Sequence, residues 1–331
     1  MTRSLRLALL FAVAGCDGDR PPEPTTPPRP SAAPVVSASA APAEVRRLPA
    51  APRVVAIGDL HGDLAATRKA LRLAGAIDER DTWIGADLVV VQTGDDIDRG
   101  DEDRAVLDLL EGVAAAAQQV GGALVLLNGN HEIMNVDLDF RYVTEGSFQA
   151  FGGSAGALET DPRVASQSPR AKARAAAFLP GGEYARKLAK RSVTVVVGDT
   201  LFVHGGVLPE HVRYGLTRID REVSAWMEGQ SKKAPASVTS DDAPVWTRTY
   251  CIEPEKAPCA KLDDALKGLG AKRMVMGHTV QKGGITSGCG GRFWCIDVGL
   301  SAHYGGPAQV LELRGDQAQV LDAAKSAKDG G

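Results

Sequence analysis

Three short apolar runs in the first half of this chain each stop at a glycine that is followed at once by acidic, amide or imidazole side chains. Val54 to Ile57 leads into Gly58-Asp59-Leu60-His61-Gly62-Asp63, and Leu88 to Gln92 leads through Thr93 into Gly94-Asp95-Asp96-Ile97-Asp98-Arg99-Gly100. Ala123 to Leu127 leads through Asn128 into Gly129-Asn130-His131-Glu132. Runs this short and this rich in β-branched residues predict strands buried on both faces, and glycine permits the tight turn that ends each one. Between them, Asp63 to Leu73 and Arg104 to Val120 space Leu and Ala as an amphipathic helix does, with Asp63 placed to cap or charge the first terminus. Strand, helix, strand, helix, strand points to the α/β class, in which ligands collect at the carboxyl ends of strands.

A more helical and polar insertion follows from about Asn135 to Lys190. Strand-like runs then return at Val193 to Val197, Thr200 to Val203, Arg273 to Met276, Phe293 to Val298, Gln309 to Leu313 and Ala318 to Leu321. That order predicts two packed sheets with helices outside. Two of the later runs again meet a histidine beside glycine, as Val203-His204-Gly205-Gly206 and Met276-Gly277-His278-Thr279, so four of the six histidines lie at strand ends within two residues of a glycine. A single Gly-Asp after a strand is ordinarily a turn, and a single histidine beside an apolar run is ordinarily a packed imidazole. Turn chemistry alone does not make carboxylates, an asparagine and histidines recur at successive strand ends. Because side chains alternate along an extended chain, Asp59 and His61 point the same way and form a chelating pair. His211 and His303 fit no such pattern and read as structural.

At 331 residues, 44% hydrophobic and 24% charged, the chain can bury one large core or two modest ones. A net charge of -3 offers no basic field to a phosphate backbone, so nucleic acid is not expected as a partner. With 37 Gly, 19 Pro and 5% aromatic residues, collagen, coiled-coil and multipass membrane architectures are excluded. Arg3 and Arg6 precede the apolar run Leu7 to Ala14, far short of the ~20 residues of a spanning helix. Its end, Val13-Ala14-Gly15-Cys16, resembles a bacterial lipobox. This implies a signal peptide over 1–15, a lipid on Cys16, and a lipid-anchored protein of the bacterial cell envelope that faces the periplasm and touches the membrane through that anchor only. A plain secretory signal and a misassigned start codon are the alternatives.

Residues 16–52, rich in Pro, Ala, Ser and Thr, predict an extended tether with a reach of up to about 100 Å. The folded domain is expected over 53–322, with a disordered tail over 323–331. The remaining cysteines fall as Cys251 with Cys259 and Cys289 with Cys295. Three pairings are open to them, of which the local ones, Cys251–Cys259 and Cys289–Cys295, are the simplest expectation in an oxidising compartment. A zinc site built from all four thiols has poorer spacing.

Taken in order, Gly58-Asp59-Leu60-His61-Gly62, Gly94-Asp95 to Asp98-Arg99-Gly100, Gly129-Asn130-His131-Glu132, His204-Gly205-Gly206 and Gly277-His278 resemble the calcineurin-like metallophosphoesterases, in their phosphoprotein phosphatase branch. Within that branch, Asn130-His131-Glu132-Ile133-Met134-Asn135 followed by Asp139-Phe140-Arg141-Tyr142-Val143-Thr144 is similar to the Shewanella-like protein phosphatases. So are Pro244-Val245-Trp246-Thr247-Arg248 and Gly299-Leu300-Ser301 to Tyr304-Gly305-Gly306. The resemblance runs from about Arg53 to Gly315 and implies an αββα sandwich.

The resemblance also implies two divalent metal ions, with Asp59 and His61 on one, Asp95 bridging both, and Asn130, His204 and His278 on the second. Cations ~3.5–4 Å apart can deprotonate a shared water near neutral pH and neutralise charge on phosphoryl oxygens. Oxygen and nitrogen ligands without thiolate suit Mn, Fe, Zn or Mg, and Mn is the expectation for activity. His131, paired with Asp98, is implied to be the proton donor to the leaving oxygen, because a carboxylate at one ring nitrogen fixes the tautomer and favours the imidazolium. Arg99 is implied to clamp the phosphate with its planar fork, with Asn130 beside it, and Arg248, whose local motif departs from the eukaryotic phosphatase pattern, is the candidate for a second clamp. Glu132 is expected either to orient the ligands or to be solvated, and Tyr304 either to face the substrate or to pack. The expected substrate is a phosphorylated protein or peptide, on tyrosine or on serine and threonine. A dinucleoside polyphosphate hydrolase and an envelope binding module with a weak site are the competing readings. The segment 135–190, lying between ligand motifs, reads as a lid or a recognition surface.

Overall fold

The computed structural model describes residues 44–152 and 158–325. The expected signal peptide, Cys16, most of the tether and the tail from residue 326 lie outside the described residues. The strands are β1 (Arg47–Leu48), β2 (Val54–Ile57), β3 (Val89–Gln92), β4 (Ala123–Leu126), β5 (Thr194–Val197), β6 (Thr200–Val203), β7 (Arg273–Met276), β8 (Thr286–Gly288), β9 (Phe293–Cys295), β10 (Gln309–Arg314) and β11 (Gln317–Asp322). The α-helices among the described residues are α1 (Leu64–Leu73), α2 (Asp103–Gln119), α3 (Asn130–Val136), α4 (Glu145–Ala150), α5 (Pro162–Ala165), α6 (Lys172–Phe178), α7 (Glu183–Leu188), α8 (Pro209–Tyr214), α9 (Leu216–Met227), α10 (Ala236–Thr239) and α11 (Cys259–Leu269).

The strands form a five-stranded sheet in the order β11-β10-β2-β3-β4 and a six-stranded sheet in the order β1-β5-β6-β7-β9-β8. Strands β2, β3 and β4 are parallel, as are β6, β7 and β9, so their carboxyl ends open in common directions within each sheet. Alternation along the strands assigns the two faces. Val54, Ala56, Val91 and Val125 meet Val195, Val197, Phe202 and Val275 in a core between the sheets. The intervening Val55, Ile57 and Val90 face α1 and α2 through Leu71, Val106 and Leu110. On the other side Leu201, Val203, Met274 and Met276 pack with Leu188, Ile219, Trp226 and Leu266 of α7, α9 and α11. The result is the predicted αββα sandwich. Asp63 does cap α1, its carboxylate accepting the N–H of Ala66 at 2.8 Å.

Two expectations need correction. The folded part starts before Arg53: β1 lies parallel to β5, with Val196 N–H donating to Arg46 O at 2.9 Å and Gly198 N–H to Leu48 O at 3.1 Å. A strand this short is held by its neighbour's backbone and carries no pattern of its own. The disulfides join Cys251 to Cys295 and Cys259 to Cys289, with Cα separations of 5.8 and 5.6 Å, in place of Cys251–Cys259 and Cys289–Cys295. Strand pairing decides this. The β8–β9 hairpin sets Cys289 in its turn and Cys295 at the far end of β9, while the turn at Pro254–Lys256 carries Cys259 away from Cys251 to the start of α11. With all four thiols oxidised, no zinc site is formed by them. Among the described residues no helix is long and apolar enough to cross a membrane.

Candidate active site

The loops after β2, β3, β4, β6 and β7 converge at one end of the sandwich. Five non-glycine residues there hold positive φ: His61 (49°), Asp95 (59°), Asp98 (69°), Arg99 (72°) and His278 (67°). L-residues adopt this region at a cost, and its concentration in one place marks a site where side-chain direction outweighs backbone comfort. Two glycines make the crowding possible. A Cβ on Gly129 would collide with Asp95 Oδ1, and one on Gly277 with Asp59 Oδ1.

Asp59, His61, Asp95, Asn130, His204 and His278 are all buried and come together as the sequence reading expects. Two overlapping groups of side chains could each hold a cation: His61, Asp95 and His131, and Asp95, His204 and His278. Asp95 belongs to both. Asp59 Oδ2 lies 3.8 Å from His61 Nε2, and Asn130 Oδ1 lies 2.9 Å from His204 Nε2.

Hydrogen bonds fix the direction of each imidazole. A carbonyl only accepts, so His204 Nδ1, 3.0 Å from Thr93 O, carries the proton, and so do His278 Nε2, 2.9 Å from Trp246 O, and His61 Nδ1, 3.3 Å from Ile97 O. The lone pairs are therefore on His204 Nε2, His278 Nδ1 and His61 Nε2. His204 Nε2 faces Asp95 Oδ2 at 3.2 Å and His278 Nδ1 at 3.1 Å. Lone pairs set against lone pairs and a carboxylate are repulsive unless a cation lies among them, and backbone carbonyls behind the rings are the usual outer support of metal-binding histidines. Burial lowers the pKa of His61 to about 3; burial, with His204 and Arg248 beside it, lowers that of His278 to about 2. Both are neutral and competent as ligands. Burial, Asp297 and Asp95 push Asp59 upward, as expected of carboxylates packed together without a counter-charge. The donor set fits divalent cations.

Beside these groups, His131 Nδ1 lies 2.7 Å from Asp98 Oδ2. Burial opposes a charge on His131, but the carboxylates of Asp95 and Asp98 outweigh it and raise the imidazole to about 9. Arg99 stacks its guanidinium 3.8 Å from the centre of the Tyr142 ring, and its buried Nε has no partner. Arg248 Nη1 donates to His278 O at 2.6 Å. Arg99, Tyr142, Trp246, Arg248 and Tyr304 line one cleft together with His61, Asp95, Asn130, His131 and His278. Tyr304 is 39% exposed, with its ring 5.2 Å from that of His61, so it faces the cleft. Glu132 is fully buried and accepts three backbone N–H groups, which removes the solvated alternative. His211 is buried against the N–H of Leu208, away from the site, as its lack of motif suggests.

Sequence reasoning missed two residues. Asp297, after β9, is 1% exposed, lines the cleft, and leaves Oδ2 without a partner while Oδ1 accepts from Gly299 N–H at 2.9 Å. Arg174, on α6 of the insertion, reaches Asp98 Oδ1 at 3.1 Å. Its surroundings in the sequence carry no signal of this, because Arg174 ends the run Arg170-Ala171-Lys172-Ala173-Arg174 and reads as one of three solvated cations.

The chain is similar to known proteins in sequence and in fold. The model of the calcineurin-like phosphoesterase family matches residues 52–282. Shewanella-like protein phosphatase 2 of Arabidopsis thaliana is 41% identical over 295 residues, covering 80% of this chain and 75% of the relative. Shewanella-like protein phosphatase 1 of Plasmodium berghei is 29% identical over 266 residues, covering 77% and 69%. Among solved structures, a cold-active protein-tyrosine phosphatase of a psychrophilic Shewanella species superposes with a TM-score of 0.68 at 22% identity, over 85% of this chain and 83% of that one.

Proposed function

The chain belongs to the calcineurin-like phosphoesterase family, among the Shewanella-like protein phosphatases, and is a metal-dependent phosphoester hydrolase; from that premise we propose that it hydrolyses phosphomonoesters on proteins or peptides at a two-metal centre. The observation that carries this reading is the gathering of six ligands around Asp95, with Asp59 against His61, Asn130 against His204, and both His61 and His204 facing the Asp95 carboxylate, while His131–Asp98 and Arg99 stand beside them. Asp59 and His61 would hold one cation, Asp95 both, and Asn130, His204 and His278 the second. Two divalent cations supply neutralisation of phosphoryl charge and a water acidic enough to attack at neutral pH. Mn is our expectation for the active metal.

The side chains have separable tasks. Arg99, held by Tyr142, and Arg248, anchored on His278 O, orient the phosphoryl oxygens. His131, its Nδ1–H directed to Asp98, turns Nε2–H toward the cleft and gives the Nε2 proton to the leaving oxygen as the P–O bond breaks. Tyr142, Trp246 and Tyr304 form an aromatic rim, which favours an aryl phosphate such as phosphotyrosine over a small alkyl one. Cys16 would carry the lipid that anchors the enzyme in a bacterial envelope, with the catalytic domain in the periplasm. Disulfides between Cys251 and Cys295 and between Cys259 and Cys289 are consistent with an oxidising compartment.

The test is phosphate release by the purified protein, stripped of metal and resupplied with Mn²⁺, on phosphotyrosine and phosphothreonine peptides, diadenosine tetraphosphate and a bis-aryl phosphodiester. Metal-dependent release from the peptides supports the proposal. Turnover of the dinucleotide or the diester alone would overturn the substrate assignment.

A further inference from the structure

Arg174 is fully buried and spends its whole guanidinium on one network. Nε donates to Asn135 Oδ1 at 2.8 Å and Nη1 to Ser147 Oγ at 2.7 Å. Nη2 donates to Asp103 Oδ2 at 2.7 Å and to Asp98 Oδ1 at 3.1 Å. The partners come from separate parts of the chain: α3, α4, the start of α2 and the turn after β3. The rings of Phe151 and Phe178 close over it, each with its centre 4.9 Å from the guanidinium carbon. A buried guanidinium is costly unless it is paired and hydrogen-bonded throughout, and here Asp98 and Asp103 supply the pairing.

The network ends on the carboxylate that holds His131. Asp98 Oδ1 takes Arg174 and Asn135 Nδ2, the latter at 3.0 Å, and Oδ2 takes His131 Nδ1 at 2.7 Å. Asn135 is tied at both ends, its Oδ1 accepting from Arg174 Nε and its Nδ2 donating to Asp98 and to His131 O at 2.9 Å. Asp98 itself sits at a φ of 69°, and its backbone N–H is held by Asp103 Oδ1 at 2.9 Å. The Asp98 carboxylate therefore has one position in which all its donors are met, and that position aims Oδ2 at the histidine.

We propose that Arg174 is a positioning residue: it locks the Asp98 carboxylate so that the His131 imidazolium is held with Nδ1–H on Asp98 and Nε2–H turned to the leaving oxygen. The insertion carrying α6 thereby becomes a structural arm of the proton donor. The proposal rests on the reading of His131 as that donor. A guanidinium is needed because a lysine ammonium, a single point donor, cannot bridge Asp98, Asp103, Asn135 and Ser147 together.

The test uses the full chain with Arg174→Lys, Arg174→Gln, His131→Ala and the double variant His131→Ala/Arg174→Lys. Thermal transition and bound metal are measured first, so that a variant that does not fold is set aside; Arg174→Lys, which keeps the charge, is the variant on which the conclusion stands. For Arg174→Lys the expectation is a kcat loss of about 10- to 100-fold on an alkyl phosphate, with KM nearly unchanged, and a loss of less than about 3-fold on p-nitrophenyl phosphate, whose leaving group hardly needs a proton. In the His131→Ala background the Arg174→Lys loss should vanish. Equal losses on both substrates, or full additivity in the double variant, would overturn the proposal. If His131→Ala alone leaves alkyl phosphate turnover intact, the proton-donor reading falls. The imidazole Nδ1–H resonance of His131 then decides the role of Arg174: a resonance unchanged in Arg174→Lys overturns positioning, and one shifted or lost supports it.

Discussion

The carboxylate of Glu132 accepts the backbone N–H of Asp95 at 2.9 Å, across the gap between the turn after β3 and the first turn of α3. The same carboxylate takes the N–H of Asp96 at 2.9 Å and of Gly129 at 2.7 Å. One buried side chain thus sets the spacing between Asp95 and Asn130. Burial, with Asp96 and Asp95 close by, raises the Glu132 carboxyl to about 7. Glu132→Gln would turn an amide N–H2 toward backbone donors. We expect metal affinity to fall about 10- to 100-fold, measured by competition with a chelator. Unchanged affinity would remove Glu132 from the support of the metal site.

Asp95 is common to both ligand groups, and Asp95→Asn should therefore abolish most turnover and reduce bound metal at both positions. Metal analysis after gel filtration reads this directly. Two tightly held ions with full turnover would contradict the shared-ligand arrangement. Exhaustive chelation of the unmodified protein should likewise stop turnover, and Mn²⁺ should restore it.

His131→Ala should cost about 10²- to 10⁴-fold in rate on alkyl phosphates and less on p-nitrophenyl phosphate. The donor must be protonated to act, so activity on alkyl phosphates is lost as pH rises through the His131 pKa. The carboxylates of Asp95 and Asp98 hold that value at about 9 without metal, and bound cations, by offsetting Asp95, bring the alkaline limb below it. An alkaline limb absent from alkyl phosphate turnover up to pH 9 would argue against this assignment.

The Cys251–Cys295 bond closes a separation of 44 residues and lies beside the chain that carries Arg248. Removing it as Cys251→Ser/Cys295→Ser should destabilise the protein by about 2–5 kcal/mol, read as a lowered midpoint of denaturant unfolding. Digestion without reduction, followed by mass spectrometry, should yield peptides linking 251 to 295 and 259 to 289. Linked peptides joining 251 to 259 would refute the connectivity.

Asp220 accepts the N–H of Val193 at 2.6 Å, and burial raises its carboxyl from 3.8 to about 6. The folded state then holds this proton more tightly than the unfolded one. Its contribution to stability is full below the unfolded value and is lost as pH rises through about 6. Asp220→Asn should flatten the dependence of melting temperature on pH between about 4 and 6, and an unaltered slope would exclude Asp220 as its source.

Periodicity and punctuation in the sequence were enough to place β2, β3, β4, α1 and α2 within a residue or so of their observed bounds, because each carries its own continuous apolar run or helical stripe. The metal-ligand candidates were legible for a related reason: each follows a strand end within a few residues, and parallel strands carry their ends to a common edge without further instruction. Where the answer depended on which distant segment lay alongside, local pattern held no information. β1 exists because β5 is there to pair with it, and the cysteines join across strands rather than along the chain. Arg174 is one of three closely spaced cations, Arg170, Lys172 and Arg174, and its partner Asp98 lies 76 residues away. The sequence by itself determined the α/β architecture, the family and the chemical identity of the site. Only the tertiary structure decided the disulfide pairing, the direction of each imidazole and the arm that holds Asp98, since burial and hydrogen-bond partnership belong to contacts that exist only once the sheets have packed.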